Sequence, residues 1–522
     1  MKKHTTYLNI DDDWLWYIYE SALGDLSDAE GLIRSYVRGY RDLKITDLLF
    51  NSFCQQSAFP SKTLGWWGDK YSQRIENGVE VDYSSQHRVK FIVDFYNTLE
   101  RDPYEIAIEE TRALGMNAWI SVRMNDCHYN HEKTSYLHGD MYYEALKNGW
   151  FIGEHVAGHY MGECYNYAVK DVYDRMLAYV FETIDRYDMD GLELDFQREL
   201  FCFDYMKDPE CHKIMTEFVS SVRGYLREKE KKCGHPIRLG VRLAREMEHN
   251  KVFGFDVEYW VKAGLVDLVV PTSRWESTDS DIQIEPWKRL VDKTGVELCV
   301  GLETLIFFPY RNSPETLRGF ATQYLDMGAD GIYLYNHFRT RGEEKEVGVE
   351  ELERAGVDEN YEPYLASNEC EKYIKDCILA CSSEEEAAKD TRRHVMTFSE
   401  QGMAPVGMKR YDPLPAKLDG SACFSLQTGT VDDSDDTVVY IGVSPETEIL
   451  SIDVDKGKAS ALGEGSDAFI CKAEACVPEH FRKTALENAK YLAYSFKAGD
   501  GNIREIEIKG SGEIRYIEIK VS

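Results

Sequence analysis

The chain has 522 residues, 43% of them hydrophobic, which is enough for more than one domain and a sizeable core. Lys and Arg number 61 against 92 Asp and Glu, a net charge of −31 that repels nucleic acid and anionic membrane surfaces. No apolar run reaches the roughly 18 residues of a membrane-spanning helix.

The first residues, "MKKHTTYLNIDDDW", lack the apolar stretch of a signal peptide. Thirteen cysteines is an odd number, and none form a CxxC pair. Cys370, Cys377 and Cys381 fall at helical spacing, as on one buried helix face. The expectation is a cytoplasmic protein with reduced thiols.

Short apolar runs then recur in order: "YLNI", "TDLLFNS", "NAWISVR", "GLELDFQ", "RLGVRLA", "DLVVPTS", "ELCVGLE" and "GIYLYNH". Between them lie helical patterns such as "PYEIAIEETRALGM" and "VYDRMLAYVFETIDRYDM". Strands alternating with helices in this way predict an α/β fold, a (β/α)8 TIM barrel over residues 1–390 with its closing helices. The alternative, a doubly wound sheet, lacks a glycine-rich phosphate loop.

Asp11 and Asn51 end the first two runs and are counted as substrate-binding. The connection after the second run is long and carries Trp66 and Trp67, candidate sugar platforms together with Trp14 and Trp275. Trp119, inside a run, is expected in the core. The third run ends in Arg123, and the long connection after it begins with Asn125, Asp126 and His128, all suited to sugar hydroxyls. His155 and His159 have i, i+4 spacing, but Val156 stands where a zinc protease motif has Glu. No metal and no cofactor is expected.

The fourth run, "GLELDFQ", poses the central problem. Leu192, Leu194 and Phe196 alternate with Glu193, Asp195 and Gln197. In a closed barrel the apolar set meets the helices, so the carboxylates face the interior and Gly191 lies at its narrow bottom. Arg123 and Arg242, on the inward parity of runs three and five, are the expected partners of Glu193. Asp195, one step nearer the mouth, is assigned to catalysis. The seventh run ends in Glu303, which supplies the second carboxylate that glycoside hydrolysis requires. Tyr333 and Asn336 on the eighth run complete the substrate-binding set.

"YNYAVKDVYDRMLAYVFETIDRYDMDGLELDFQRE" and "MNAWISVRMNDCHY" resemble the bacterial family 10 glycosyl hydrolase-like proteins over most of residues 5–345. The resemblance implies a glycosidase-type barrel. "DGLELDFQ" is also similar to the family 18 chitinase signature DGxDxDxE, with Asp190 and Asp195 matching, Glu193 replacing an Asp and Gln197 replacing the catalytic Glu.

From residue 391 to 522 the pattern becomes strands and turns, predicting an antiparallel β-sandwich. Ile506 and Ile508, then Ile517, Ile519 and Val521, alternate about Gly510 and Gly512 as in a hairpin. This domain holds no tryptophan, so a structural or oligomer-forming role is expected rather than carbohydrate binding. The function expected is hydrolysis of a small or imported glycoside, probed best with aryl glycosides. The alternatives are a sugar-acid lyase or isomerase, in which Arg123 and Arg242 hold a substrate carboxylate, and a non-catalytic carbohydrate-binding barrel.

Overall fold

The structure, a computed structural model, describes residues 4–522 except 13, 23, 71–73, 77–78, 82–86, 131, 275–276, 308–309, 337–367, 398–403, 409–410, 474–485 and 487. Eight parallel strands form its first half: β1 (Thr5–Ile10), β2 (Asp47–Asn51), β3 (Asn117–Arg123), β4 (Gly191–Asp195), β5 (Arg238–Ala244), β6 (Leu268–Thr272), β7 (Glu297–Glu303) and β8 (Gly331–Tyr335). Each pairs with its neighbours in sequence, and β8 pairs back onto β1, so the sheet is a closed barrel with no free edge. All eight apolar runs are barrel strands, and closure rules out the doubly wound alternative.

The helices between them form where caps and periodicity agree. Pro103–Ala113 starts on the N-cap Asp102, which accepts from Tyr104 N at 2.9 Å, with proline in the first turn. Lys170–Arg186 buries Val172, Met176, Tyr179, Val180, Thr183 and Ile184, one stripe at helical spacing. No helix among the described residues is long and apolar enough to cross a membrane.

The barrel interior is filled at its lower end. Trp119 lies opposite Gly191, where a Cβ would come within 2.2 Å of the indole. The indole Nε1 donates to Asp47 at 2.8 Å, and Tyr7 donates to Glu297 at 2.8 Å. Arg238 closes this layer on Glu297 at 2.5 Å. The polar groups Arg123, Asp195, Arg242 and Glu303 lie at the other ends of the strands, the end that carries the chemistry of such barrels.

The second half is an antiparallel sheet: β9 (Arg392–Val395), β10 (Ala416–Gln427), β11 (Thr437–Val443), β12 (Glu448–Val454), β13 (Ser460–Glu464), β14 (Lys490–Phe496) and β15 (Ile503–Val521). The expected hairpin around Gly510 and Gly512 is instead one 19-residue strand, β15. It pairs with β10 and β12 along its first half and with β9 and β11 along its second. The shift of parity that suggested a turn is a bulge: Ile514 faces Val443 and Tyr516 faces Gly442, leaving Arg515 as the extra residue. Gly510 and Gly512 mark close crossings, since a Cβ would sit 2.0 Å from the Glu448 carbonyl and 2.3 Å from Thr447 Oγ1. Both halves of β15 contribute to one apolar cluster, with Ile506 and Ile508 beside Ile517, Ile519 and Val521. The sheet docks on the barrel through Arg393, which pairs with Glu518 at 2.5 Å and with Glu315 of the helix Pro314–Asp326.

Two glycines test this packing. Gly191→Ala forces a methyl into the Trp119 indole and is expected to destabilise the protein by about 1–3 kcal/mol. Gly224→Ala, inside the helix Cys211–Cys233 with nothing within 4 Å of the new Cβ, is expected to stabilise it by about 0.5–1 kcal/mol. Urea denaturation of both variants checks the pair.

Candidate active site

The polar mouth of the barrel is set by strand register. Ser121 lies opposite Glu193 and Arg123 opposite Asp195 on one side; on the other, Glu193 faces Gly240 and Asp195 faces Arg242. Both arginines therefore stand one layer above Glu193, which corrects the expectation that they pair with it.

Arg242 takes Asp195 instead, bidentately, with Nε to Oδ1 at 3.0 Å and Nη2 to Oδ2 at 2.7 Å. Asp195 Oδ1 also accepts the backbone N–H of Gln197 at 2.9 Å and of Arg198 at 3.1 Å. Four donors converge on this one buried carboxylate. The Arg242 guanidinium lies 4.7 Å over the Tyr335 ring, and Tyr335 is the register partner of Glu303. The ends of β4 and β7 thus meet through Arg242 and Tyr335.

Glu193 is fully buried and held differently. Its Oε2 accepts from Ser121 Oγ at 2.6 Å, Tyr333 OH at 2.9 Å and Asn9 Nδ2 at 3.2 Å. Its Oε1 has no hydrogen-bond partner among the described residues. Burial first, and then the charge of Asp195, push its carboxyl up to about 7. Tyr333 is thus a positioning group for Glu193, buried with it.

Glu303, 1% exposed, accepts from Asn336 Nδ2 at 2.6 Å and Leu305 N at 3.0 Å. Asn336 adopts φ 62°, a left-handed conformation that also occurs at Gln55 and Tyr129 in the mouth connections. Such backbone is costly for non-glycine residues and gathers at functional sites.

Arg123 belongs to a second cluster. It bonds Asp11, Asp12 at 3.0 Å and Asp126 at 3.1 Å. Asn51 Nδ2 approaches Asp12 at 3.3 Å and Asp11 at 3.4 Å. Burial opposes the charge on Asp11 and Asp126, but Arg123 beside Asp11, and His128 and Arg123 beside Asp126, hold both carboxyls well below the usual range. His128 Nδ1 lies 2.7 Å from Asp126 Oδ1, and Arg198 reaches its other ring nitrogen. Burial and the Arg198 charge lower the His128 pKa.

Several candidates sit elsewhere. Asn125 spends its amide on Tyr165 O at 3.1 Å, Phe201 O at 3.0 Å and Tyr165 N at 2.9 Å, so it pins loops and is not offered to substrate. Trp67 is fully buried, as is Trp14 against Phe50 and Tyr104; both are core. Trp66 packs edge-on against Tyr96 at 5.2 Å. Trp275 lies outside the described residues. His155 contacts Asp204 at 3.0 Å, and the side chain of His159 is outside the described set.

Sequence reasoning missed Asn9 and Ser121, which hold Glu193, although strand parity alone puts both inside the barrel. It also missed the buried pair of Glu199 and Arg274, 3.2 Å apart, whose residues sit in separate connections with no local signal. Among the described residues, the buried side-chain atoms at this end without a hydrogen-bond partner include Glu193 Oε1, Gln197 Oε1 and Arg242 Nη1.

No family model matches the chain, and no curated protein does. Among solved structures it is similar to a cycloisomaltooligosaccharide glucanotransferase of Paenibacillus sp., at 9% identity and TM-score 0.32 over 98% of this chain and 57% of that one. It is similar to a cell-surface-expressed multi-modular chitinase of Paenibacillus sp., at 9% identity and TM-score 0.37 over 99% of this chain and 54% of that one. A third is an α-amylase of Geobacillus thermoleovorans, at 12% identity and TM-score 0.36 over 97% and 98% of the two chains. The chain spans little more than half the length of the first two.

The raised Glu193 pKa has a stability consequence. A carboxyl raised on folding from 4.5 to about 7 stabilises most below its unfolded pKa, and that contribution is lost as pH rises towards 7. Across pH 4.5 to 7, wild type should lose stability relative to Glu193→Gln, and the difference should level off above that window. Denaturation curves of both proteins at several pH values measure it; parallel curves would contradict the raised pKa.

Proposed function

We propose that the barrel mouth hydrolyses a glycosidic bond. The observation that carries this reading is the set of buried atoms Glu193 Oε1, Gln197 Oε1 and Arg242 Nη1, which have no hydrogen-bond partner among the described residues. Together they accept and donate hydrogen bonds in a place where leaving them unmade is costly, and a sugar's hydroxyls satisfy both kinds. Two differently held carboxyl groups stand there. Asp195 is gripped by Arg242, and burial with the charge of Asp195 lets Glu193 keep a proton near neutral pH.

In this reading Glu303 is the carboxylate at the anomeric carbon and attacks it, giving a covalent glycosyl-enzyme and retention. The proton for the leaving oxygen comes from Glu193, directly or through one water. That replaces Asp195 as acid, because Arg242 engages both of its oxygens. Asp195 stabilises positive charge on the sugar and raises the Glu193 pKa.

A second reading has one observation in its favour. Arg242 Nη1 is a buried guanidinium nitrogen with no hydrogen-bond partner among the described residues, and a substrate carboxylate would fill that need. Turnover of uronides with no turnover of neutral glycosides would favour a sugar-acid enzyme on the same mouth.

Glu303→Gly is expected to abolish hydrolysis, with azide restoring turnover from the vacated space. Glu193→Gln should lower kcat by about 10²–10⁴-fold on poor leaving groups and far less on activated aryl glycosides. Proton NMR of the first anomer released from a panel of aryl glycosides decides retention. Unchanged activity in both variants would sink the two-carboxylate reading.

A further inference from the structure

A second group of metal-ligating side chains lies at the opposite end of the barrel. Asp188, in the turn before β4, meets Cys233 and His235, which flank Gly234 just before β5. One ligand atom from each lies within 4.8 Å of the others. Gly234 ends the helix Cys211–Cys233 at φ 83°, and nothing lies within 4 Å of a Cβ placed there. The glycine is needed for the backbone reversal that brings its two neighbours to one side.

The geometry of His235 is the second observation. Its Nδ1 lies 3.0 Å from the Pro236 carbonyl, and its Nε2 lies 2.7 Å from Asp188 Oδ1. Both ring nitrogens face an acceptor. A neutral imidazole carries one proton and satisfies only one of them. Either the ring is an imidazolium, or a cation sits between Nε2 and the carboxylate. An Nδ1–H held by a backbone carbonyl is the outer contact that fixes a metal-binding histidine to coordinate through Nε2. Asp188 turns its other oxygen to Arg112 at 3.0 Å, which leaves Oδ1 for the ion.

We infer that Asp188, Cys233 and His235 form a binding site for a borderline divalent cation such as zinc, with the fourth position open to solvent. One sulfur, one nitrogen and one oxygen suit that ion. Tetrahedral bonds of about 2.0–2.3 Å space ligand atoms about 3.3–3.8 Å apart, so the Asp188–His235 contact has only to open by about 1 Å. On binding, the Cys233 thiol gives its proton to solvent, and any second proton on His235 leaves likewise. The side chains are partly exposed, so the ion reaches them without unfolding.

The other three-residue group, Cys54, Asp126 and His128, is a poorer site. Arg123 already occupies Asp126 and Arg198 already occupies His128, so a dication there meets two guanidinium charges.

Cobalt(II) titration of the full-length chain, stripped with a chelator, tests the site. One equivalent should bind with a thiolate-to-cobalt charge-transfer band, and zinc should displace it. Cys233→Ser should abolish the band. His235→Ala should weaken cobalt binding by at least about tenfold, a loss seen even when an outer-contact partner is removed. Glu193→Gln should leave both unchanged. No band at saturating cobalt, or a band that survives Cys233→Ser, would overturn the assignment.

Discussion

Glu193 and Asp195 leave one strand two residues apart and enter the same closed interior, where water does not screen them. Two unpaired negative charges at that spacing are unaffordable, so the fold must neutralise one with a partner and the other with a proton. The register decides which. Arg242 lies across from Asp195, and Gly240, with no side chain, lies across from Glu193. Asp195 takes the guanidinium, and burial beside it raises the Glu193 carboxyl.

The rest of the mouth follows from that division. Arg242 is drawn to Asp195, and its guanidinium lies over the ring of Tyr335, the register partner of Glu303. Because Glu193 is satisfied at only one oxygen, Ser121, Tyr333 and Asn9 converge on Oε2 and leave Oε1 facing unfilled need. Arg123 is consumed by three aspartates in the connections after β1 and β3. The lower end is closed by Trp119, which occupies the space that Gly191 and Gly240 leave free.

Much of this was legible from residue alternation. Period-two patterning placed the eight strands, pointed Glu193 and Asp195 inward and put Gly191 at the bottom. What alternation does not carry is the stagger between neighbouring strands. That stagger is a property of barrel closure, and it moved Arg123 and Arg242 up one layer. Aromatic residues after strand ends were ambiguous for a related reason: Trp14 and Trp67 fill space beneath their loops, which local sequence cannot distinguish from facing solvent. In β15 the parity change at Arg515 reads the same for a turn and for a bulge, and only the pairing of Val443 and Gly442 separates the two. Asn125 is chemically suited to a sugar, yet two loops needed its amide more.

Burial and the charge of Asp195 keep a proton on Glu193 near neutral pH. Infrared difference spectroscopy of the titrated protein, with carboxyl carbons isotopically labelled, observes this directly. A protonated-carboxyl stretch should persist above pH 6, disappear with a midpoint of about 7, and be missing from Glu193→Gln. A protein with no protonated carboxyl above pH 5, or a band that stays in Glu193→Gln and vanishes in Asp195→Asn, would contradict it.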